Sequence, residues 1–151
     1  MTRADTIDKT CGIARGLDLL GERWTGRVLL ETLRGAERFS DLLDALGIAP
    51  DVLSSRLTKL VDAGVLERVP YQEDGRRARE KYVPTVAGQR LGVVLAALND
   101  WAEAFLPLSS GEPGSSRFVE QSTGQVVHVA LVTDDGRIVD DAAVGLAVTG
   151  S

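Results

Sequence analysis

Between Pro50 and Gly64 the sequence is punctuated at both ends, which fixes the place and length of one helix more firmly than anything else in the chain. Proline suits a first helical position, where its missing N–H costs nothing, and glycine suits the residue just past a helix end. The spacing predicts a helix from Pro50 to about Ala63. Leu53, Leu57, Leu60 and Val61 line one face, and Asp51, Ser55, Lys59 and Asp62 point the other way. That polar face is thin in large side chains, so it can lie close against another surface.

What flanks this helix narrows the fold. Upstream, Leu42, Leu43 and Leu46 give a helix of barely two turns, Asp41 to Leu46, with Ser40 as its expected N-cap. Before it, Trp24, Val28, Leu29 and Leu33 predict a helix closed by Gly35, and Ile7, Cys11, Ala14, Leu17 and Leu20 predict one over residues 5–20, interrupted near Gly12 and Gly16. Downstream come two extended segments, Val65 to Tyr71 and Glu80 to Pro84. The loop between them contains Asp74-Gly75 and projects Arg76, Arg77 and Arg79. A short helix, a turn and a second helix with a small polar face, braced by a third, is helix-turn-helix geometry, and the basic hairpin that follows makes the arrangement a winged helix.

Thr85 is expected to start a long helix ending near Phe105. Leu91, Val94, Leu98, Trp101, Phe105 and Leu108 recur along it at three- and four-residue steps, the spacing of a helix-to-helix seam. Residues 109–116, within the stretch PLSSGEPGSS, form a linker by composition. Residues 117–151 read as two or three short strands with turns at Gly124 and Asp135-Gly136, too small a piece to be stable alone, so packing on the main domain or on a partner subunit is expected. The fold class is therefore mainly α with a small β wing. It comprises a winged helix-turn-helix and dimerisation domain over residues 1–108, ending in the long helix, and a β-rich appendage.

Composition removes other classes. A chain of 151 residues, 44% apolar, builds one main domain, and its broken apolar runs fall short of the roughly 20 residues of a membrane span. No apolar targeting segment opens the sequence, so a cytoplasmic location is the expectation. A single cysteine excludes an intramolecular disulfide, and a single histidine, His128, argues against a histidine-built metal site. Asp134, Asp135, Asp140 and Asp141 match no dense carboxylate loop. Nor is there a catalytic triad, a Cys-His arrangement or a glycine-rich phosphate loop, so neither an enzyme nor a cofactor is expected. The net charge of −5 sits mostly after Gly111, where six acidic residues face two basic ones, leaving the rest nearly neutral.

Cys11-Gly-Ile-Ala-Arg15, LDLLGERWTGRVLLETLRG from Leu17, RFSDLLDALGIAPDVLSSRLTKLVDAGVLERVPY from Arg38 and KYVPTVAGQRL from Lys81 resemble the HxlR-type winged-helix regulators. The resemblance covers about residues 8–108. It implies a transcription regulator that binds double-stranded DNA at a pseudo-palindromic operator as a homodimer, its N-terminal and long last helices forming the interface. The Pro50 helix would enter the major groove and the wing would meet the adjacent backbone or minor groove. The chain departs from the family pattern at Gly12, at Ala49, where a serine cap is common, and at Asp51, where a basic or polar residue is usual.

The expected DNA-facing residues are Asp51, Ser54, Ser55, Arg56 and Lys59 on the helix and Arg76, Arg77 and Arg79 on the wing. Serine can donate to phosphate or a base edge, lysine favours phosphate, and aspartate repels phosphate but can accept from cytosine N4. Arg56 could touch DNA or pair with an acidic neighbour. Trp24, Leu98, Trp101 and Phe105 are core or interface residues, or the wall of a pocket for an apolar small-molecule effector. Cys11 is either buried packing or, as in some relatives, a redox or electrophile sensor. A second function stays open on Asp51, Ala49 and the acidic tail: a winged helix with little DNA affinity that serves as a protein-interaction module.

Overall fold

The structure is a computed structural model, and it describes residues 10–147. The described residues form five α-helices, a two-stranded hairpin, a small second pair of strands and a single 3-10 turn, Asp141–Ala143. The helices are α1 (Gly12–Leu20), α2 (Thr25–Leu33), α3 (Phe39–Leu46), α4 (Pro50–Asp62) and α5 (Val86–Phe105); the first hairpin is β1 (Leu66–Tyr71) with β2 (Arg79–Pro84), and the second pair is β3 (Leu131–Val132) with β4 (Ile138–Val139). The chain divides into two compact units after Gly92, which places the second half of α5 with the tail.

In the first unit, Val28 and Leu29 of α2, Leu42 of α3 and Leu53, Leu57 and Leu60 of α4 are fully buried, so three short helices share one core. At about 1.5–3 kcal/mol per buried aliphatic side chain, this cluster outweighs the weak intrinsic stability of helices only 8 to 13 residues long. The α4 terminus follows from its sequence. Gly64, at φ 73°, takes the left-handed conformation that lets its N–H reach Val61 O at 2.9 Å while the Val65 N–H reaches Leu60 O at 2.9 Å, and the chain turns directly into β1.

The hairpin pairs antiparallel from Leu66 opposite Pro84 to Tyr71 opposite Arg79. It is anchored to the connector between α2 and α3 through the Tyr82 N–H, which donates to Glu37 O at 2.8 Å, and through Lys81 Nζ, 2.6 Å from Glu37 Oε2. Thr85 then starts α5: its hydroxyl donates to Gly64 O at 2.6 Å and accepts from the Gly88 N–H at 3.2 Å.

Two expectations need correction. Ser40 does not cap α3, because the helix begins two residues earlier than expected, at Phe39, with Arg38 at the N-cap position and no side-chain cap bond. Ser40 is exposed within the first turn. α1 starts at Gly12, continues through Gly16, and has Cys11 at its N-cap position; the earlier part of the expected helix, including Ile7, lies outside the described residues.

Thr25 opens α2 fully buried, and its hydroxyl has no hydrogen-bond partner among the described residues. An unpaired buried hydroxyl forfeits its hydration for nothing. Thr25→Val is accordingly expected to raise stability by about 1 kcal/mol, read as a higher urea midpoint at unchanged slope. A drop of that size would mean that the hydroxyl has a partner.

In the second unit, two carboxylates of α5 catch backbone N–H groups of the tail. Asp100 Oδ2 accepts from Val129 at 3.2 Å and Glu103 Oε2 from Gly114 at 3.0 Å. The expected strands are mostly absent as ladders: β3 and β4 are two residues each, and Val119 and Val126 form a single bridge. The expected turns are present, with Gly124 at φ 72° and Gly136 at φ 87°. Thr133 bonds to Asp135 in the second turn and holds that carboxyl below the ordinary aspartate value.

Candidate nucleic-acid interface

Burying Leu53, Leu57 and Leu60 turns the opposite side of α4 outward. Asp51, Ser54, Ser55, Thr58 and Asp62 are exposed there, at three- and four-residue steps. Thr58 escaped sequence reasoning, although its place in the series 51, 55, 58, 62 was a usable signal. Ala49 takes the N-cap position without a side-chain bond, and Pro50 occupies the first helical position. The face is polar, carries two small hydroxyl side chains in its first turns, and has a carboxylate at each end.

Both basic residues of α4 are drawn sideways rather than outward. Arg56 Nε donates to Arg23 O at 2.8 Å and its Nη1 lies 3.2 Å from Glu22 Oε2. Lys59 Nζ donates to Asp18 O and to Glu22 Oε1, each at 2.9 Å. The Lys59 hydrogen bond, assisted by the Lys59 and Arg56 charges, holds the Glu22 carboxyl below the ordinary glutamate value. One carboxylate thus ties α4 to the segment that follows α1. Sequence spacing on α4 alone contains no trace of this, because the partners lie 37 and 34 residues away.

The wing carries its arginines on a turn where Gly75 sits at φ 73° and the Arg76 N–H donates to Glu73 O at 3.0 Å. Arg76, Arg77 and Arg79 are all exposed. Arg76 Nε lies 3.8 Å from Glu73 Oε2, whereas Arg77 and Arg79 have no acidic partner among the described residues. Beside the wing turn, Arg38 from the α3 N-cap, Ser40 and Tyr71 join these arginines and Glu73 around a cleft of about 140 Å³. Arg38 lies 4.9 Å over the Tyr71 ring and bonds Glu73 Oε1 at 2.7 Å.

The remaining candidates lie elsewhere. Trp24, half-buried at the N-cap position of α2 with φ 79°, has the guanidinium groups of Arg23 and Arg27 over its ring at 5.4 and 4.8 Å. That backbone conformation is rare for a bulky residue. In the second unit Trp101 and Phe105 pack as tilted rings 6.0 Å apart and line a groove of about 560 Å³ with Leu131, Val139, Asp140 and Asp141. Leu98 does not line it. Cys11 is free and half-buried. His128 Nδ1 lies 3.3 Å from Asp100 Oδ1. Among the described residues no cluster of side chains could hold a metal ion, and no helix is long and apolar enough to cross a membrane.

Three short helices, the last with an exposed polar face, followed by a hairpin with a basic tip and a long helix, define a winged helix-turn-helix protein. Residues 19–110 match the family described as HxlR-like helix-turn-helix, and the chain belongs to that family of bacterial transcriptional regulators. An uncharacterized HTH-type transcriptional regulator of Mycobacterium tuberculosis, Rv3095, is 42% identical over 101 residues, 67% of this chain and 63% of that protein. The chain therefore spans somewhat less than two thirds of this relative's length. Among solved structures, PA1607, a candidate transcription factor, aligns with a TM-score of 0.77 at 28% identity over 93% of this chain and 96% of its own. PA1374 of Pseudomonas aeruginosa, also a candidate transcription factor, aligns at 0.62 and 35% identity over 93% and 94%. Coverage of 93% carries both likenesses past residue 110 into the tail.

Proposed function

We propose that this chain binds double-stranded DNA in a sequence-dependent way as a homodimer, with α4 in the major groove and the wing arginines on the flanking backbone or minor groove. The observation that carries the reading is the pairing within one unit of an exposed small-residue polar helix face with a wing tip whose Arg77 and Arg79 have no acidic partner among the described residues. Serine and threonine hydroxyls reach base edges and phosphates, and arginine presents a planar fork of donors to phosphate. The homodimer rests on α1, which leaves Ile13 and Leu17 exposed, and on α5, which leaves Val94, Leu98, Trp101 and Phe105 exposed at seam spacing. Two-fold symmetry then calls for half-sites about one helical turn apart, roughly 34–36 Å. A small apolar effector in the Trp101 and Phe105 groove, or modification of Cys11, would act on that dimer.

Fluorescence anisotropy of the protein with labelled DNA flanking its own gene, titrated against salt and challenged with unrelated duplex, tests the reading. Tight, competitor-resistant binding is expected, and Ser54→Ala with Ser55→Ala should lower the ratio of specific to unrelated affinity by about tenfold. The engagement of Arg56 and Lys59 by Glu22 favours the second reading, a protein-interaction module, because α4 then presents no free cation of its own. Selection from genomic fragments that recovers no preferred site would establish that second reading over the first.

A further inference from the structure

The cleft beside the wing turn contains one carboxylate among four arginines. Arg38, Arg76, Arg77 and Arg79 line it with Ser40 and Tyr71, and Glu73 enters the same space. Glu73 bonds Arg38 at 2.7 Å through Oε1 and faces Arg76 at 3.8 Å through Oε2. We infer that this cleft is a seat for a DNA backbone phosphate, which Glu73 occupies in the free protein as an internal substitute, so that Glu73 sets how tightly the wing holds DNA. The inference rests on the DNA-binding reading and adds to it Arg38 and Ser40, which lie outside the helix face and the wing, and Glu73 of the wing turn.

The geometry suits phosphate. The Arg38 guanidinium carbon lies 4.9 Å over the Tyr71 ring, a contact that restrains it, and a guanidinium presents paired N–H donors along one edge. A carboxylate and a phosphate offer that edge the same two-oxygen acceptor, so they compete for it. The cleft is small, about 140 Å³, which fits a single anionic group better than a folded ligand. Ser40, exposed in the first turn of α3, adds a hydroxyl donor on the side opposite the wing. The Arg38 and Glu73 side chains are 44% and 40% exposed, so their bond is modest and an incoming phosphate can displace the carboxylate.

The test is a double-mutant cycle read by anisotropy on one labelled duplex across a salt series. Glu73→Gln is expected to tighten binding by about 3- to 5-fold at low salt, the scale of one exposed ion pair, and to steepen the salt dependence by up to about one phosphate equivalent. Arg38→Gln should weaken binding and flatten that slope by a similar amount. In the Arg38→Gln background the Glu73→Gln gain should shrink, because the donor for which they compete is gone. Asp74→Asn, an equal change of charge at the wing turn, separates a seat from a general field effect. An Asp74→Asn gain equal to that of Glu73→Gln, or a Glu73→Gln gain that persists fully without Arg38, overturns the inference. Wild-type protein that binds no DNA overturns instead the reading on which it rests.

Discussion

Leu98→Glu is expected to convert the protein from a dimer to a folded monomer and to lower its affinity for an operator at least 100-fold. Leu98 is 58% exposed on a single chain, so the substitution removes little from that chain's own packing, and helix content and thermal transition of the monomer should survive. On a dimer seam the same carboxylate is buried without a partner, which costs several kcal/mol at each of two symmetric positions. The DNA consequence follows from linkage of the half-sites: once the second recognition helix is no longer tethered, its binding ceases to be intramolecular. Sedimentation equilibrium reads the mass and circular dichroism the fold. A Leu98→Glu protein that stays dimeric would exclude this face of α5 from the interface.

The winged-helix unit was largely legible in the sequence, and the reasons are local. Pro50 and Gly64 delimit α4 within one residue because each acts through its own backbone geometry, and the hairpin was legible because Asp74-Gly75 lies between two apolar extended segments. What escaped was set by distant partners or by unusual backbone. The α3 start was placed late because Arg38 serves as N-cap without the side-chain bond that gives a serine its signature. Trp24 in the left-handed region has no sequence mark at all, since the residue type argues against it.

The largest shift in reading concerns Lys59. Helix spacing places it on the outward side of α4, yet Asp18 O and Glu22 hold its ammonium group, and Arg56 is turned to the same carboxylate. A helical wheel cannot report a contact that folding makes between residues 37 apart in sequence. These two cations thereby become a brace between α4 and the end of α1, and of the basic residues expected to face DNA, those with no acidic partner among the described residues, Arg77 and Arg79, are on the wing. In the tail, alternating valines suggested strands, but the pairing among the described residues is limited to the two-residue β3–β4 ladder and the single Val119–Val126 bridge, and α5 holds the tail at Val129 through Asp100 and at Gly114 through Glu103.

The exposure of Arg77 and Arg79 makes the wing the place where charge removal should tell most. Arg77→Gln with Arg79→Gln is expected to weaken binding roughly 10- to 100-fold, for specific and unrelated duplex alike, because phosphate contacts position a protein without reading sequence. Each neutralised phosphate contributes about 0.9 to the slope of log affinity against log salt, so the double variant should lose close to two units of slope. Both side chains are exposed and neither has an acidic partner among the described residues, so stability should move by less than about 0.5 kcal/mol and the loss can be assigned to DNA. Lys59→Gln provides the contrast: with its ammonium engaged by Glu22, it should leave the slope nearly unchanged while loosening α4 against α1. If Lys59→Gln flattens the slope as much as a wing arginine does, the brace opens on DNA and α4 contributes a phosphate contact after all.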